Sequence, residues 1–376
     1  MNHTNLSFDA DTILAGLLPW IECESPTFDT AAVNRMLELA SRDMAVAGAR
    51  LDKIPGRMGF ADCVRASFPH PGQGNPGILV MGHFDTVHPI GTKQALRIRR
   101  EGNRAYGPGI LDMKGGNYLT LEAIKQLQRA EITTKLPITF LLTSDEEVGS
   151  PSTRDLIEAE AARARYVLVP EPARPDGGVV TGRYAIARFN LEATGRPSHA
   201  GARLAEGRSA IKEMARKILE IEDMTTEDCT FSVGVMQGGQ WVNCVTTTAT
   251  GEVLSMAKRQ KDLDHGVTRM LALRASSNDV QFTATRGVTR PVWEANARGM
   301  ALYERARAIA LSLGFDIPSQ SSGGGSDGNF TGAMGIPTLD GLGVAGGGAH
   351  TLDEHILIDS LVYRGRLMAG LLASLD

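Results

Sequence analysis

The sequence has few cysteines, no long apolar run and no excess of basic residues. Its four cysteines show no C-x-x-C spacing, which predicts reduced thiols in a packed core rather than a disulfide scaffold. No apolar stretch of about 18 residues occurs, and the opening residues lack a basic segment followed by an uninterrupted apolar run. We therefore expect a cytoplasmic protein with no membrane partner.

The charge balance excludes a second group of partners. Lysine and arginine number 39 against 43 aspartates and glutamates, so the formal net charge is −4. A surface for nucleic acid or for an anionic membrane would need concentrated basic charge. A small-molecule ligand is the better expectation.

The length of 376 residues predicts two domains. In the first half, apolar runs of strand length (GILVMGH, PITFLLTS, YVLVPEP) alternate with helical patterns, which is typical of an α/β fold with a mainly parallel sheet. Residues 184–290 instead follow the order β-α-β-β-α-β, which predicts an inserted α+β sandwich of ferredoxin-like type. The first domain would then comprise residues 1–183 and 291–376, with a strand in IPTLDGLG and a closing helix over residues 355–375.

Residue types that bind metals stand where several predicted strands end. The carboxyl ends of strands in open α/β sheets are where ligands bind, so such groups can converge although they are distant in sequence. One histidine or one acidic pair alone would more often be structural, but the combination favours a metal site. The residues are His83 and Asp85 in MGHFDTVHP, Asp112 in YGPGILDMKGG, Glu146 and Glu147 in TSDEEVGS, Glu171 in VPEPA and His350 in GGGAHTLDEHI.

The charge of this cluster predicts two metal ions. Asp112, Glu147 and Glu171 contribute three negative charges, which two Zn²⁺ ions and one hydroxide would neutralise. With Asp112 as a bridge, each zinc would receive one histidine and one glutamate and keep an open position for water. Two such ions would polarise a scissile carbonyl for attack by a metal-bound hydroxide. Co²⁺ and Mn²⁺ are the substitutes to expect.

Asp85 and the adjacent glutamates have supporting roles in this interpretation. Asp85 lies two residues beyond His83 and would accept the proton on the imidazole nitrogen that faces away from the metal. Neighbouring side chains leaving a strand diverge, so one of Glu146 and Glu147 would bind metal while the other acts as general base. The spacing leaves open which glutamate has which role.

The remaining histidines need separate interpretations. His199, in GRPSHAG, lies among small residues of the inserted domain, where a histidine could donate to the oxyanion of a tetrahedral intermediate or simply occupy a surface turn. His88, His265 and His355 are interpreted as exposed or packing residues.

Taken together, these segments resemble a family of zinc metallopeptidases and deacylases that includes glutamate carboxypeptidase, aminoacylase, acetylornithine deacetylase and succinyl-diaminopimelate desuccinylase. HFDTVHP resembles the family's H-x-D-x-V segment, YGPGILDMKGG its bridging-aspartate segment, SDEEVGS its base-and-ligand segment and GRPSHAG its lid histidine. The resemblance runs nearly end to end and is greatest to the glutamate carboxypeptidase branch.

The resemblance implies a role for each of these residues. Residues 184–290 would be a lid through which the family commonly forms homodimers, and in several members the equivalent of His199 reaches the partner's active site. One zinc would be bound by His83, Asp112 and Glu171, and the other by Asp112, Glu147 and His350. Glu146 would be the base, Asp85 the orienting residue, and Asn243, in GGQWVNCV, a substrate contact beside His199.

The sequence departs from the carboxypeptidase pattern at one place. That branch usually has D-x-R on a lid strand, where the arginine helps to hold the substrate's carboxylate, whereas this chain has Leu254-Ser255-Met256. Lys258, Arg259 or Arg290 could replace the arginine, and the turn over residues 323–327, with Gly325 and Ser326, could offer backbone N–H groups to an anion. Otherwise the substrate lacks a standard α-carboxylate.

We therefore expect hydrolysis of the amide bond of an N-acyl amino acid or short peptide, with Glu146 as the base. The alternative enzyme is an unusual amide or arylamine hydrolase on the same metal centre, suggested by Met256. A metal-binding protein without catalysis would be expected to lack the base or a ligand, and all of these are present. A phosphate site in SSGGGSDGN is disfavoured, because no Lys-Ser/Thr follows the glycines.

Overall fold

The structure is a computed structural model that describes residues 6–277 and 279–376. It divides into two units. The first contains the chain up to Gly182 together with Ala295–Ser321 and Ser326–Asp376, and the second contains Arg183–Glu294 and Ser322–Gly325. The predicted insertion at residues 184–290 lies inside the second unit, which also takes in a short piece of the Gly-rich loop.

Helices and strands alternate along the first unit before the insertion. The helices are α1 (Ala10–Glu22), α2 (Thr30–Val46), α3 (Thr92–Ala95), α4 (Gly115–Arg129) and α5 (Arg154–Ala161). The strands are β1 (Arg50–Ile54), β2 (Cys63–Ser67), β3 (Gly77–His83), β4 (Arg99–Glu101), β5 (Arg104–Tyr106), β6 (Ile138–Thr143), β7 (Ala164–Leu168) and β8 (Val179–Arg183).

The second unit and the return of the chain supply the remaining elements. The second unit contains β9 (Ala185–Thr194), α6 (Ala210–Glu222), β10 (Cys229–Gly238), β11 (Thr248–Ala257), α7 (Gln260–Ala272) and β12 (Gln281–Arg290). The chain then forms α8 (Ala297–Ser312), β13 (Ser319–Ser322), α9 (Gly328–Ala333), β14 (Thr338–Leu339), β15 (Gly346–Gly347), β16 (His355–Leu357) and α10 (Ser360–Ser374).

The central sheet of the first unit has the strand order β1-β2-β6-β3-β7-β14. The β3 strand pairs in parallel with β6 and β7, and β7 pairs in parallel with β14, while β1 and β2 form an antiparallel edge. The residues of β3 after Gly77 are all buried, as expected of an apolar strand covered on both faces. The prediction of an α/β fold with a mainly parallel sheet is confirmed.

Close packing fixes the carboxyl ends of the central strands. Trp20 of α1 is fully buried, meets the ring of Phe84 edge-on at 5.2 Å, and donates its indole N–H to Asp43 at 2.7 Å. At the start of α4, a Cβ on Gly116 would lie 1.8 Å from the carbonyl oxygen of Pro170, so only glycine lets this helix approach the end of β7 so closely. The residues that follow β3 and β7 are thereby held in place.

The second unit is an antiparallel sheet in the order β10-β11-β9-β12 with two helices, α6 and α7. Burial alternates along β9 and along β11, so the sheet has one face in the core and one toward solvent. Buried side chains of the inner face and of the helices form a hydrophobic core of their own within this unit. This is the predicted β-α-β-β-α-β arrangement.

The prediction for the last segment is wrong at its beginning. His355–Leu357 forms strand β16, and the helix starts only at Ser360. The strand pairs with β5, where His355 lies opposite Tyr106, so a tertiary contact overrides the local helical pattern. None of the helices in the described part of the chain has both the length and the apolar character needed to cross a bilayer.

Candidate metal centre and active site

Three parallel strands bring candidate ligands to one edge of the central sheet. His83 is the last residue of β3, Glu146 and Glu147 stand in the turn after β6, and Glu171 follows β7. Parallel neighbours end at the same edge, so these side chains are gathered there although they are far apart in sequence.

Asp112 and His350 reach the same place from outside the sheet. Asp112 lies in the irregular turn Ile110–Lys114 just before α4, and its own φ and ψ are not helical. His350 lies in the loop between β15 and β16 with a φ of 63°, in the left-handed region that few residues other than glycine adopt. Non-glycine residues in this region concentrate at functional sites.

The two oxygens of Asp112 face two different histidines. Its Oδ1 lies 3.3 Å from Nε2 of His83, and its Oδ2 lies 3.2 Å from Nε2 of His350. Each histidine also faces a glutamate, because Nε2 of His83 is 3.7 Å from Oε1 of Glu171 and Nε2 of His350 is 3.2 Å from Oε2 of Glu147. The arrangement is that of a carboxylate between two sets of ligands.

These separations fit shared metal ions better than direct ion pairs. A charge-assisted N–H···O bond is typically about 2.7–2.9 Å long, which is shorter than every one of these contacts. Two donor atoms bound at about 2.0–2.1 Å to one tetrahedral zinc lie about 3.3–3.4 Å apart. Moreover, the buried Nε2 of His83 has no hydrogen-bond partner among the described residues. The donor set therefore fits a pair of metal ions.

The electrostatics of the site lead to the same requirement. Burial raises the pKa of Glu171 well above its usual range, with the charge of Asp112 adding to the rise, and burial also raises the pKa of Glu147. Hydrogen bonds to Asp112 and Glu147 raise the pKa of His350 to about 10. The carboxylates therefore require positive charge nearby, and bound cations would supply it while leaving the imidazoles neutral for ligation.

Asp85 supports the site differently from the prediction. The Nδ1 of His83 lies 2.9 Å from the main-chain carbonyl oxygen of Asp85 but 3.5 Å from its carboxylate, so the hydrogen bond goes to the carbonyl. The buried carboxylate accepts N–H bonds of 3.2 Å from Glu146 and from Glu147, and a 2.9 Å bond from the hydroxyl of Thr27. Asp85 thus orients the imidazole through its backbone and the turn after β6 through its side chain.

The adjacent glutamates have different neighbours. Glu147 faces His350, whereas Oε2 of Glu146 lies 3.8 Å from Nε2 of His83. Donor atoms of His83, Asp112 and Glu147 lie within 4.8 Å of one another, and so do those of His83, Glu146 and Glu171. Glu146 is thus close enough to the metal positions to exchange a proton with a molecule bound there.

The second unit holds the predicted oxyanion donor, His199, beside Asn243. Both side chains are exposed, and the N–H of Ala200 donates to the carbonyl oxygen of Asn243 at 2.9 Å. Nδ1 of His199 accepts N–H bonds from Gly201 and Ala202 at 3.2 and 3.1 Å. In the neutral ring the proton must then be on Nε2, which leaves that N–H available as a donor.

The Gly-rich loop packs against arginine and methionine within the second unit. A Cβ on Gly325 would lie 2.8 Å from Cδ of the buried Arg290, and a Cβ on Gly323 would lie 2.9 Å from Cε of Met256. Arg183 donates to the carbonyl oxygen of Gly324 at 2.6 Å. Met256 therefore lies against the loop for which an anion-binding role was predicted.

Ser326 differs from the other predicted substrate contacts. It is fully buried in the first unit, its hydroxyl donates to Asp340 at 2.5 Å, and the same hydroxyl accepts the N–H of Gly328 at 3.0 Å. Its own N–H donates to the side chain of Asn329 at 3.0 Å. These bonds use the hydroxyl and the amide within the fold, so we assign no substrate contact to them.

Three residues beside the site were not identified from the sequence. Thr27 bonds the carboxylate of Asp85, and the buried Nζ of Lys114 donates to the carbonyl oxygen of Cys23 at 2.7 Å, with burial lowering the pKa of Lys114 to about 8. Glu354 bonds the turn that carries Asp112. Their positions depend on long-range packing, although Lys114 and Glu354 both lie in segments noted for their neighbouring ligands.

The position of Asp112 between both histidines predicts how metal content responds to its loss. Asp112→Asn should lower zinc at both positions rather than at one, because each oxygen faces one ligand set. Elemental analysis of the purified variant measures this. Asp43→Asn is the control. It changes a carboxylate that accepts the indole N–H of Trp20 instead of a candidate ligand, so this variant should keep its zinc. Two fully retained zincs in Asp112→Asn would contradict the bridge.

Comparison with known proteins places this chain in a family. The model of peptidase family M20/M25/M40 matches residues 79–374. Carboxypeptidase G2 of Pseudomonas sp. (strain RS-16) is 33% identical over 314 residues, which cover 81% of this chain and 75% of that protein. Acetylornithine deacetylase of Myxococcus xanthus is 31% identical over 188 residues, 46% of this chain and 48% of that one.

Solved structures agree with this assignment at the level of the fold. A tripeptidase from Staphylococcus aureus has a TM-score of 0.76 at 20% identity, covering 97% of this chain and 98% of that chain. A metallo-carboxypeptidase of the M20 family from Sulfolobus solfataricus has a TM-score of 0.73 at 16% identity, with 96% and 98% covered. The predicted family resemblance is confirmed: this chain belongs to peptidase family M20/M25/M40 and is a metal-dependent hydrolase that acts on amide bonds.

Proposed function

We propose that this enzyme binds two zinc ions and hydrolyses the amide bond of an N-acyl amino acid or a short peptide. The observation that carries the proposal is the placement of the two Asp112 oxygens, 3.3 and 3.2 Å from the histidines of two ligand sets. His83 and Glu171 would complete one set, and His350 and Glu147 the other. The similarity to carboxypeptidase G2 and to an acetylornithine deacetylase supports the amide substrate.

Each step of the reaction has a candidate residue. When bound, the two ions would polarise the scissile carbonyl and lower the pKa of the attacking water. Glu146 would accept the proton that the water loses and deliver it to the amine nitrogen as the C–N bond breaks. The carboxylate of Asp85 fixes the main chain of Glu146 and Glu147, which keeps the base and the neighbouring ligand apart. His199 would donate from Nε2 to the oxyanion.

The different neighbours of the two glutamates predict different defects. Glu146→Gln should lower kcat by about 10²–10⁴ and leave the zinc content unchanged, because the amide keeps the shape of the side chain but cannot accept the proton. Glu147→Gln should lose zinc, because its side chain faces His350. Kinetics and metal analysis on both variants distinguish the roles. The reverse pattern would show that base and ligand have been exchanged.

Substrate choice depends on what faces the Gly-rich loop. We propose that Arg290 and the N–H group of Gly325 bind an anionic group of the substrate, since the arginine lies against this glycine. Met256 supports the alternative, an amide or arylamine without a standard α-carboxylate. It is half-buried at Gly323, on the lid segment where the carboxypeptidase branch has an arginine.

Met256→Arg distinguishes these two substrates. If the substrate carries an α-carboxylate, a new charge-assisted hydrogen bond should raise kcat/KM on acyl-glutamates by about 10–150-fold. Met256→Gln, of similar length but uncharged, is the matched control and should give no such gain. Steady-state kinetics on acyl-amino acids and simple anilides provide the measurement. Unchanged acyl-glutamate hydrolysis together with weaker anilide hydrolysis would favour the alternative substrate.

We further propose that the second unit forms a homodimer along strand β10. This strand is at the edge of its sheet, and its carboxyl-terminal half is exposed. In that half, Val235 and Met236 are 40% and 45% exposed. Exposed apolar edge strands are templates for pairing with another chain. Trp241 and Val242 continue the apolar surface at 71% and 103% exposure, next to the loop that holds Asn243.

Such a dimer would allow His199 to act in the partner's active site, which a mixing experiment tests. His199→Ala should lower kcat by about 10²–10³, the usual cost of losing one oxyanion donor. Mixed with Glu146→Gln subunits, it should regain activity, because one site in each hybrid would have both residues intact. Tagged subunits report whether exchange occurred. Hybrids as inactive as both parents would rule out a histidine supplied by the partner.

A further inference from the structure

Glu354 is a fully buried carboxylate four residues after His350. Its Oε1 accepts N–H bonds from Leu111 at 2.8 Å and from Asp112 at 3.0 Å. Its Oε2 accepts the N–H of Gly109 at 2.9 Å and lies 2.6 Å from Nε2 of His88. One side chain thus receives three main-chain N–H groups, two from the turn Ile110–Lys114 and one from the glycine just before it.

These bonds fix a piece of backbone that regular secondary structure does not hold. The turn Ile110–Lys114 is irregular, and Asp112 has a φ of −114° and a ψ of 97°, outside the helical region. Buried N–H groups that lack a helical or strand partner need another acceptor, and Glu354 provides it. A carboxylate without such donors would itself be costly to bury, so the turn and the side chain stabilise each other.

His88 holds the opposite side of the same carboxylate. It is 6% exposed and follows β3 at the end of the segment that carries His83 and Asp85. Nε2 of His88 lies 2.6 Å from Oε2 of Glu354, so the tautomer protonated at Nε2 donates a hydrogen bond to this carboxylate. The pair therefore connects the segment after β3, the loop before β16 and the turn of Asp112.

From this geometry we infer that Glu354 is a positioning residue for both metal subsites, acting through the main chain of Asp112. The inference rests on the two-zinc site proposed above. The two Asp112 oxygens must each face a different ligand set, so a small rotation of its backbone would move both away from their ions at once. Glu354 bonds the amide of Asp112 itself and that of the residue before it, which prevents this rotation.

The test compares zinc affinity in Glu354→Gln and in wild-type protein. The glutamine keeps the shape of the side chain, but its NH2 group must face either the turn amides or Gly109, where it meets other donors. We expect both zinc sites to weaken by about 10–100-fold in a competition titration with a chelator. The visible spectrum of the Co²⁺-loaded variant should also shift, since it reports ligand geometry rather than activity.

A matched control separates positioning from general stability. Glu160 is likewise a buried glutamate of the first unit, and it accepts bonds from Arg65 and Arg163. Glu160→Gln should lower the thermal midpoint of the metal-free protein without changing its zinc affinity. The double variant Glu354→Gln/Asp112→Asn should lose less zinc-binding free energy than the sum of the losses in the two single variants, because both changes act on Asp112.

The outcomes are distinct. A Glu354→Gln protein with wild-type zinc affinity and cobalt spectrum overturns this inference alone, whereas wild-type protein that takes up no zinc overturns the two-zinc proposal and this inference with it. If Glu354→Gln does not fold, the same titration on His88→Asn decides. That variant removes one of the four contacts, so zinc should weaken by about 2–12-fold, the equivalent of one hydrogen bond. Unchanged affinity in His88→Asn would then overturn the inference.

Discussion

The mutual repulsion of buried and half-buried carboxylates is the constraint on which the site depends. Asp112, Glu147 and Glu171 are gathered at one sheet edge around two imidazoles. Such a group is stable only if positive charge enters it, because each carboxylate raises the free energy of its neighbours. The two divalent ions that we propose would satisfy this requirement and would supply the Lewis acids for amide hydrolysis. Metal binding and amide hydrolysis would therefore depend on the same arrangement of charges.

Other buried charged groups hold the backbone around this site. The carboxylate of Asp85 receives the amides of Glu146 and Glu147, and that of Glu354 receives the amides of Gly109, Leu111 and Asp112. Arg364, also fully buried, donates to the carbonyl oxygens of Gly343, Gly177 and Gly341. The N–H of Gly343 in turn bonds the carbonyl oxygen of Glu171 at 2.8 Å. Side-chain to main-chain bonds thus help to position the ligand loops.

The sequence predicts those site residues whose positions follow from a local pattern. It does not predict the residues whose positions depend on contacts with distant parts of the chain. The apolar run that ends in His83 could be recognised because buried parallel strands read as continuous apolar runs, and Glu171 follows a second such run after β7. The role of Glu354 could not, because it depends on where the loop before β16 meets a turn 242 residues earlier. The strand at His355 was missed for a similar reason, since its pairing with β5 outweighs a short helical pattern. The orientation of the Ser326 hydroxyl likewise depends on a tertiary contact, because the hydroxyl donates to Asp340.

The most direct test of this account is anomalous X-ray diffraction at the zinc edge from crystals of the zinc-loaded protein. The account predicts two peaks per chain about 3.5–4 Å apart, the usual spacing of two-metal sites. Asp112 should lie between them, with His83 and Glu171 on one ion and His350 and Glu147 on the other. A single peak, or a second ion bound by Glu146 in place of Glu147, would contradict it.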